Sequence, residues 1–160
     1  MRRGYFVAGL GAAQFALPGA IDRLRAARDL RGPGAGPDDE PIVPVVLAAA
    51  DPAQPYGAVL AWPPSAGRPA RVAGAFTVLL DGEPVVYLER GAHSLVTFPA
   101  ASGAAAAHWA DALTGLVKDG RLRKLEITKI DGAAPAESPV AEGLRAAGFV
   151  DGYKGLVFRT

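Results

Sequence analysis

Length, composition and charge exclude several classes of protein before any motif is considered. The chain has 160 residues, half of them apolar and 21% charged, which is typical of a folded domain with an appendage. It has no cysteine, which excludes a disulfide scaffold and a cysteine-ligated zinc site, and no apolar run reaches the ~18 residues of a membrane span. We therefore expect a cytoplasmic protein with no membrane partner.

The N-terminal segment predicts a hairpin followed by a helix. Two short apolar runs, Tyr5–Ala8 and Gln14–Leu17, flank a glycine-bearing link, which is typical of a β-hairpin. Apolar residues at helical spacing predict a helix over Ala20–Leu30. A basic hairpin leading into a helix is typical of the end of a winged-helix module. We therefore interpret residues 1–31 as the remnant of such a module from a larger protein, and residues 32–41, rich in Gly and Pro, as a flexible linker.

Residues 42–160 predict an α+β domain. Asp81-Gly82 between two β-branched runs is a strong hairpin signal, because both turn positions favour a positive φ. A helix with Trp109 and Leu113 towards the sheet ends at Gly120, and Ser138 is expected to cap a second helix. The predicted elements are strands Ile42–Ala49, Ala70–Leu80, Glu83–Arg90, Ser94–Phe98, Leu122–Ile130 and Gly155–Arg159, with helices Ala104–Lys118 and Pro139–Ala147. The sheet is expected to be mostly antiparallel and could curl towards a barrel.

Charge is distributed unevenly along the chain, although the net charge is only +1. Residues 1–31 hold six arginines against two aspartates, residues 32–117 three arginines against eight carboxylates, and residues 118–160 eight bases against six acids. The two basic ends could follow a phosphate backbone, whereas the acidic middle could not. The alternative is that these charges are simply solvated faces. The candidate nucleic-acid contacts are Arg2, Arg3, Tyr5, Arg121, Arg123 and Lys124.

Motifs for chemistry are few. The sequence has no Gly-x4-Gly-Lys-Ser/Thr loop, so we expect no ATP hydrolysis by these residues. His93 and His108 stand fifteen residues apart without matching acids, and we expect no metal or cofactor site. Asp81 and Glu89 are the remaining candidates for a general base that orients water. The alternative for Asp81 is a purely structural role, since its place in the hairpin turn is a sufficient explanation. The alternative for Glu89 is a solvated residue at the edge of the sheet.

Several runs of the sequence, in order and spacing, resemble the C-terminal region of bacterial Lhr, the large helicase-related DNA helicase. They are Gly4–Val7, Leu10–Ala20, Asp22–Arg25, Leu47–Gly57, Gly82–Gly91, Gly143–Phe149 and Gly155-Leu156. The resemblance implies an ATP-dependent superfamily 2 translocase that unwinds DNA and RNA:DNA hybrids in DNA repair. Its motor, which would bind ATP and Mg, lies upstream. The C-terminal region resembles winged-helix arrays that end in a β-barrel-like module, as in AlkZ glycosylases. The paired-glutamine motif of AlkZ is absent, because Gln14 is flanked by Ala12 and Ala16 two positions away.

Three functions remain open from the sequence. The first is a non-catalytic accessory module that helps a helicase to hold single-stranded DNA or an RNA:DNA hybrid through the six candidate contacts. The second is an oligomerisation or docking platform in which an apolar sheet edge meets another subunit. The third is a DNA glycosylase-like base-excision module that uses Glu89 or Asp81, since uracil-glycosylase activity is associated with some Lhr C-terminal regions.

Overall fold

The computed structural model describes residues 2–4, 14–29, 43–101 and 105–159. The chain divides into two compact units, Met1–Pro41 and Ile42–Thr160. The predicted linker, residues 32–41, lies outside the described residues, and so do residues 5–13 of the predicted hairpin.

The first unit contains a two-stranded antiparallel sheet followed by a helix. Strand β1 (Arg2–Gly4) pairs with β2 (Gln14–Ala16) so that Arg3 lies opposite Phe15. Helix α1 (Ala20–Asp29) follows. The predicted second strand and helix are confirmed. The described part of the first strand begins at Arg2, earlier than the predicted run from Tyr5.

The second unit contains two sheets and two α-helices within the described residues. A five-stranded sheet has the order β3-β4-β5-β6-β8, and a three-stranded sheet has the order β7-β10-β9. The elements in chain order are β3 (Val45–Ala48), β4 (Phe76–Leu80), β5 (Glu83–Leu88), β6 (Ser94–Thr97), α2 (Ala105–Lys118), β7 (Leu125–Ile127), β8 (Lys129–Ile130), α3 (Ala141–Ala146), β9 (Val150–Asp151) and β10 (Leu156–Phe158). All pairings are antiparallel except that of β6 with β8. The α+β class and the antiparallel meander are confirmed.

The turn between β4 and β5 has the conformation that its sequence predicts. Asp81 and Gly82 have φ values of 48° and 83°, so both central positions are left-handed, as in a type I′ turn. Glycine, asparagine and aspartate are the residues that tolerate this region best. The turn therefore sets the register in which β5 returns along β4.

Helix α2 packs on one face of the five-stranded sheet. Trp109, Leu113 and Leu116 are fully buried in the main core, where the sheet contributes side chains such as Val78 and Leu88. Each such burial stabilises the fold by about 1.5–3 kcal/mol. The other face carries a second cluster, Ala49, Ala75, Tyr87, Val96 and Phe98, against which Trp62 packs. The predicted inward face of α2 is confirmed.

The predicted strand Leu122–Ile130 is wrong as a single element. It divides into β7 and β8, which belong to different sheets, with Thr128 at the corner. The amides of Thr128 and Lys129 both donate to the carbonyl of His93, at 2.8 and 3.2 Å. These two long-range hydrogen bonds hold the corner at which the chain passes from one sheet to the other. They depend on a residue that is distant in sequence, so local sequence patterns do not predict them.

The predicted start of the last helix is two residues early, since α3 begins at Ala141 and not at Pro139. Ser138 nevertheless caps the turn before the helix, because its hydroxyl accepts a hydrogen bond from the amide of Val140 at 3.4 Å. The amide of Ser138 also closes a 3₁₀ turn by donating to the carbonyl of Pro135 at 3.1 Å. The predicted end at Gly148 is confirmed: its φ is +99°, and its amide donates to the carbonyl of Arg145.

Within the described residues both sheets of the second unit are open. Strands β3 and β8 are the edges of the larger sheet, and β7 and β9 are the edges of the smaller one. Curling into a barrel therefore remains a prediction. None of the described helices is long and apolar enough to cross a membrane.

Candidate nucleic-acid interface

The two predicted basic clusters lie in different units. Arg2 and Arg3 are in β1, opposite Ala16 and Phe15, and Tyr5 lies outside the described residues. The side chain of Phe15, on the partner strand, is 59% exposed. Nucleic-acid contact by the first cluster therefore remains a prediction. The structure shows that its basic strand pairs with a strand that has an exposed aromatic ring.

Arg121, Arg123 and Lys124 lie together where α2 turns towards β7. We call residues 118–124 the basic turn. Helix α2 ends because Gly120 adopts a φ of +72°, and the amide of Leu122 then donates to the carbonyl of Leu116 at 2.8 Å. Leu122 packs against the main core, so the turn is anchored while its charged side chains reach solvent.

Arg121 has a structural role in addition to its charge. Its guanidinium lies 5.0 Å from the centre of the Phe76 ring and donates to the carbonyl of Val46 at 3.4 Å. Val46 belongs to β3, an edge strand, and Pro44, just before this strand, has no amide to donate. Arg121 and Pro44 therefore occupy part of the edge that a second chain would need for strand addition.

Lys124 and Arg123 differ in their availability to a ligand. The ammonium of Lys124 lies 2.7 Å from a carboxylate oxygen of Glu126. Arg123 is exposed and, within the part of the chain that the structure describes, has no carboxylate within 4 Å. Of the three residues, Arg123 is therefore the one whose charge is most open to a phosphate.

The environment of Glu126 is positive. Its hydrogen bond and ion pair with Lys124 lower the pKa of the Glu126 carboxyl below its usual range, and the charges of His93 and Lys154 act in the same direction. Residues 118–129 hold five bases against two acids. Because Lys124 already neutralises Glu126, the surface keeps an excess of positive charge.

The basic turn and Lys154 lie at opposite ends of the outer face of the three-stranded sheet. Across this face Glu126 lies opposite Val157, which in turn lies opposite Val150. Lys124 adjoins one end of β10, and Lys154 precedes the other. Strand β10 has three residues, about 10 Å in length, so a chain of phosphates is long enough to reach from the basic turn to Lys154. Sequence reasoning missed Lys154.

Tyr153, beside Lys154, was also missed. Its side chain is 99% exposed. The signal that could have found it is the sequence Gly152-Tyr153-Lys154-Gly155, in which an aromatic and a basic residue stand alone between two glycines.

The two candidate catalytic carboxylates do not share a site. Asp81 lies in the turn before β5 and Glu89 in the turn after it. Strand β5 has six residues, so the two lie about 20 Å apart. The backbone of Glu89 helps to form the second turn, since its amide donates to Ser94 and its carbonyl accepts from Ala92, both at 2.9 Å. The two carboxylates are therefore too far apart to act as an acid–base pair.

The two histidines lie on different elements of the second unit. The Nδ1 atom of His93 lies 3.0 Å from the carbonyl of Glu126, so this ring helps to hold the corner between β7 and β8. His108 is exposed on α2. Among the described residues no three or more metal-binding side chains come together.

An aromatic cluster lies on the second face of the large sheet. Trp62 stacks on Phe98 at 5.8 Å and on Tyr56 at 5.9 Å, and it meets Tyr87 in an edge-to-face arrangement. Trp62 thus has three aromatic partners, so this cluster holds the segment 49–75 against the sheet.

Comparison with known proteins identifies the first unit. Residues 1–35 match the family model described as "Large helicase-related protein, winged-helix domain". The hairpin and helix of the first unit thus lie within the part of the chain that matches a winged-helix domain.

Two curated relatives extend the match along the chain. It is 47% identical over 141 residues to "Lhr helicase/ probable uracil glycosylase" of Mycolicibacterium smegmatis, covering 87% of this chain and 9% of that protein. It is 36% identical over 157 residues to "Lhr helicase/uracil glycosylase" of Escherichia coli, covering 96% of this chain and 10% of that protein. The chain belongs to the Lhr helicase family and corresponds to the C-terminal region of an Lhr helicase. It spans about a tenth of the length of these relatives.

Proposed function

We propose that this chain is a nucleic-acid-binding accessory region of an Lhr-type helicase that acts in DNA repair. It would hold single-stranded DNA or an RNA:DNA hybrid for upstream helicase domains, and these domains would bind ATP and Mg. The observation that carries the proposal is the basic turn, where Arg123 is exposed and has no carboxylate within 4 Å among the described residues. The predicted contacts Arg2, Arg3 and Tyr5 would add a second basic surface.

The charge pattern supports phosphate binding. A protein that neutralises phosphates releases counterions, so its affinity falls with salt, by a slope of about 0.7 per phosphate on single strands. Within the described residues, Arg123 has no carboxylate within 4 Å that would compete with a phosphate. Arg121 would lose its contacts with Phe76 and Val46 if it moved to a phosphate, and Lys124 would leave Glu126 unpaired. We therefore expect Arg123 to contribute most per residue.

The test is a salt titration of binding. Arg123→Ala should weaken the binding of a labelled single strand and reduce the salt slope by about one phosphate contact, whatever the base sequence. Arg68→Ala is the matched control, because Arg68 is also exposed but lies in the segment 49–75 on the other face of the large sheet. Equal affinities and slopes for wild type, Arg123→Ala and a combined Arg2→Ala/Arg3→Ala/Tyr5→Ala variant would refute the proposal.

A second candidate function is base excision. It is favoured by the names of both relatives, which include uracil glycosylase. Here Glu89 or Asp81 would orient the attacking water as a general base. The test is release of uracil from a single strand by wild type, Glu89→Gln and Asp81→Asn. Loss of release in one variant supports that carboxylate, release by both variants excludes the pair, and no release by wild type excludes the activity in this chain.

A further inference from the structure

The loop between β9 and β10 places an aromatic ring in solvent on a short, fixed support. Leu156 pairs with Asp151, and the amide of Gly152 donates to the carbonyl of Gly155 at 2.7 Å, so the loop consists of Tyr153 and Lys154. The Tyr153 side chain is 99% exposed, the most exposed of the large apolar side chains that the structure describes.

The support on either side of this loop is tightly packed. A Cβ on Gly155 would lie 2.0 Å from the carbonyl oxygen of Ile127, and one on Gly152 would lie 2.7 Å from a methyl carbon of Val157. The ends of the loop therefore rest directly against β7 and β10. The position of Tyr153 relative to the outer face of the three-stranded sheet is set by these contacts.

Folding does not require tyrosine at this position. Neither Tyr153 nor Lys154 has a positive φ, so most residues could occupy the loop without strain. An almost fully exposed ring contributes no burial, and within the described residues Tyr153 makes no ring contact or hydrogen bond. A large aromatic side chain here has no structural explanation.

The surroundings of the ring favour a nucleic acid as its partner. Lys154 is the next residue, and it lies close enough to Glu126 to act on that carboxyl together with Lys124. The ring thus stands at one end of the outer face, and the basic turn lies at the other. A flat ring beside a line of cations is the arrangement that binds single strands, in which bases stack on aromatic rings and phosphates meet the basic groups.

We infer that Tyr153 is a base-stacking residue for single-stranded nucleic acid, with Lys154 contacting the adjoining phosphate. The inference rests on the proposed function, since it extends the surface of the basic turn along β10. A duplex keeps its bases stacked inside, so the ring discriminates in favour of single strands, whereas Lys154 contacts both forms.

The experiment measures affinity of the 160-residue chain for labelled oligothymidine and for a duplex, over a range of salt. Tyr153→Ala is expected to weaken single-strand binding roughly 5- to 150-fold and to leave the salt slope and the melting temperature unchanged. Tyr153→Phe should retain the affinity, because it keeps the ring. Val59→Ala is the matched control, since Val59 is also exposed but lies in the segment 49–75.

The outcomes separate this inference from the function on which it rests. If wild type binds and Arg123→Ala weakens it while Tyr153→Ala does not, the stacking role is refuted and the proposed function stands. If Tyr153→Ala weakens single-strand and duplex binding equally, the ring does not stack on bases. If Tyr153→Ala changes the sedimentation of the chain but not its affinity, the loop contacts another protein chain. If wild type binds no nucleic acid, both proposals fall.

Discussion

Gln54 lies under the segment that covers the second face of the large sheet, and its replacement by alanine should destabilise the second unit. The side chain is 1% exposed. Its amide nitrogen donates to the carbonyls of Tyr56 and Ala49, at 3.0 and 3.4 Å, and its oxygen accepts a hydrogen bond from the amide of Tyr56. The backbone carbonyl of Gln54 also accepts a hydrogen bond from the guanidinium of Arg71.

The expected loss of stability follows from the unpaired hydrogen-bonding groups and the empty volume that Gln54→Ala leaves. An amide deprived of its partner in a partly buried site costs about 1–3 kcal/mol. The lost methylene and amide volume adds about 1 kcal/mol. We therefore expect a loss of about 2–4 kcal/mol, a large part of the 5–15 kcal/mol that stabilises a typical domain. Gln54→Met, which keeps the volume but not the hydrogen bonds, should lose only the first contribution.

Urea unfolding followed by tryptophan fluorescence measures both variants. Trp62 lies in the segment that Gln54 supports, and Trp109 is buried in the main core. The denaturation midpoint should fall in the order wild type, Gln54→Met, Gln54→Ala, without a change in slope. The reasoning is refuted if Gln54→Ala lies within about 0.5 kcal/mol of wild type. If Gln54→Met is as unstable as Gln54→Ala, the hydrogen bonds matter and the volume does not.

Two further predictions concern carboxylates that the structure pairs. Asp131 accepts hydrogen bonds from the amide and the hydroxyl of Thr97, at 2.8 and 2.6 Å, and has a φ of 54°. Asp131→Ala should therefore destabilise the chain by about 2–3 kcal/mol in urea, whereas Asp131→Asn, which tolerates this φ and keeps an acceptor, should cost less. The pKa of Glu126 is lowered by Lys124, so the stability from this pair is present above the ordinary glutamate pKa and is lost as pH falls through the lower folded value. The melting temperatures of wild type and Glu126→Gln should therefore converge in acid; a constant difference down to about pH 2 would contradict this sign.

The sequence by itself determined the elements whose signals are local. The Asp81-Gly82 turn forms because its two residues tolerate a positive φ, and α2 buries Trp109 because its apolar residues recur at helical spacing. Its end at Gly120 has the same kind of cause. In each case the physical reason lies within a few residues of the chain, so a reading of the sequence can find it.

Tertiary structure decided what depends on contacts between distant residues. The predicted strand Leu122–Ile130 divides because the carbonyl of His93 holds the amides at its corner, from a position more than thirty residues away in sequence. The sequence shows that the charges of the basic turn lie close together along the chain. Only the fold places Arg121 at the edge of β3 and Lys124 beside Glu126. Likewise, the sequence shows a tyrosine between glycines, and only packing of those glycines against β7 and β10 leaves its ring in solvent. Burial and pairing are properties of the folded chain as a whole, and for this reason local patterns could not supply them.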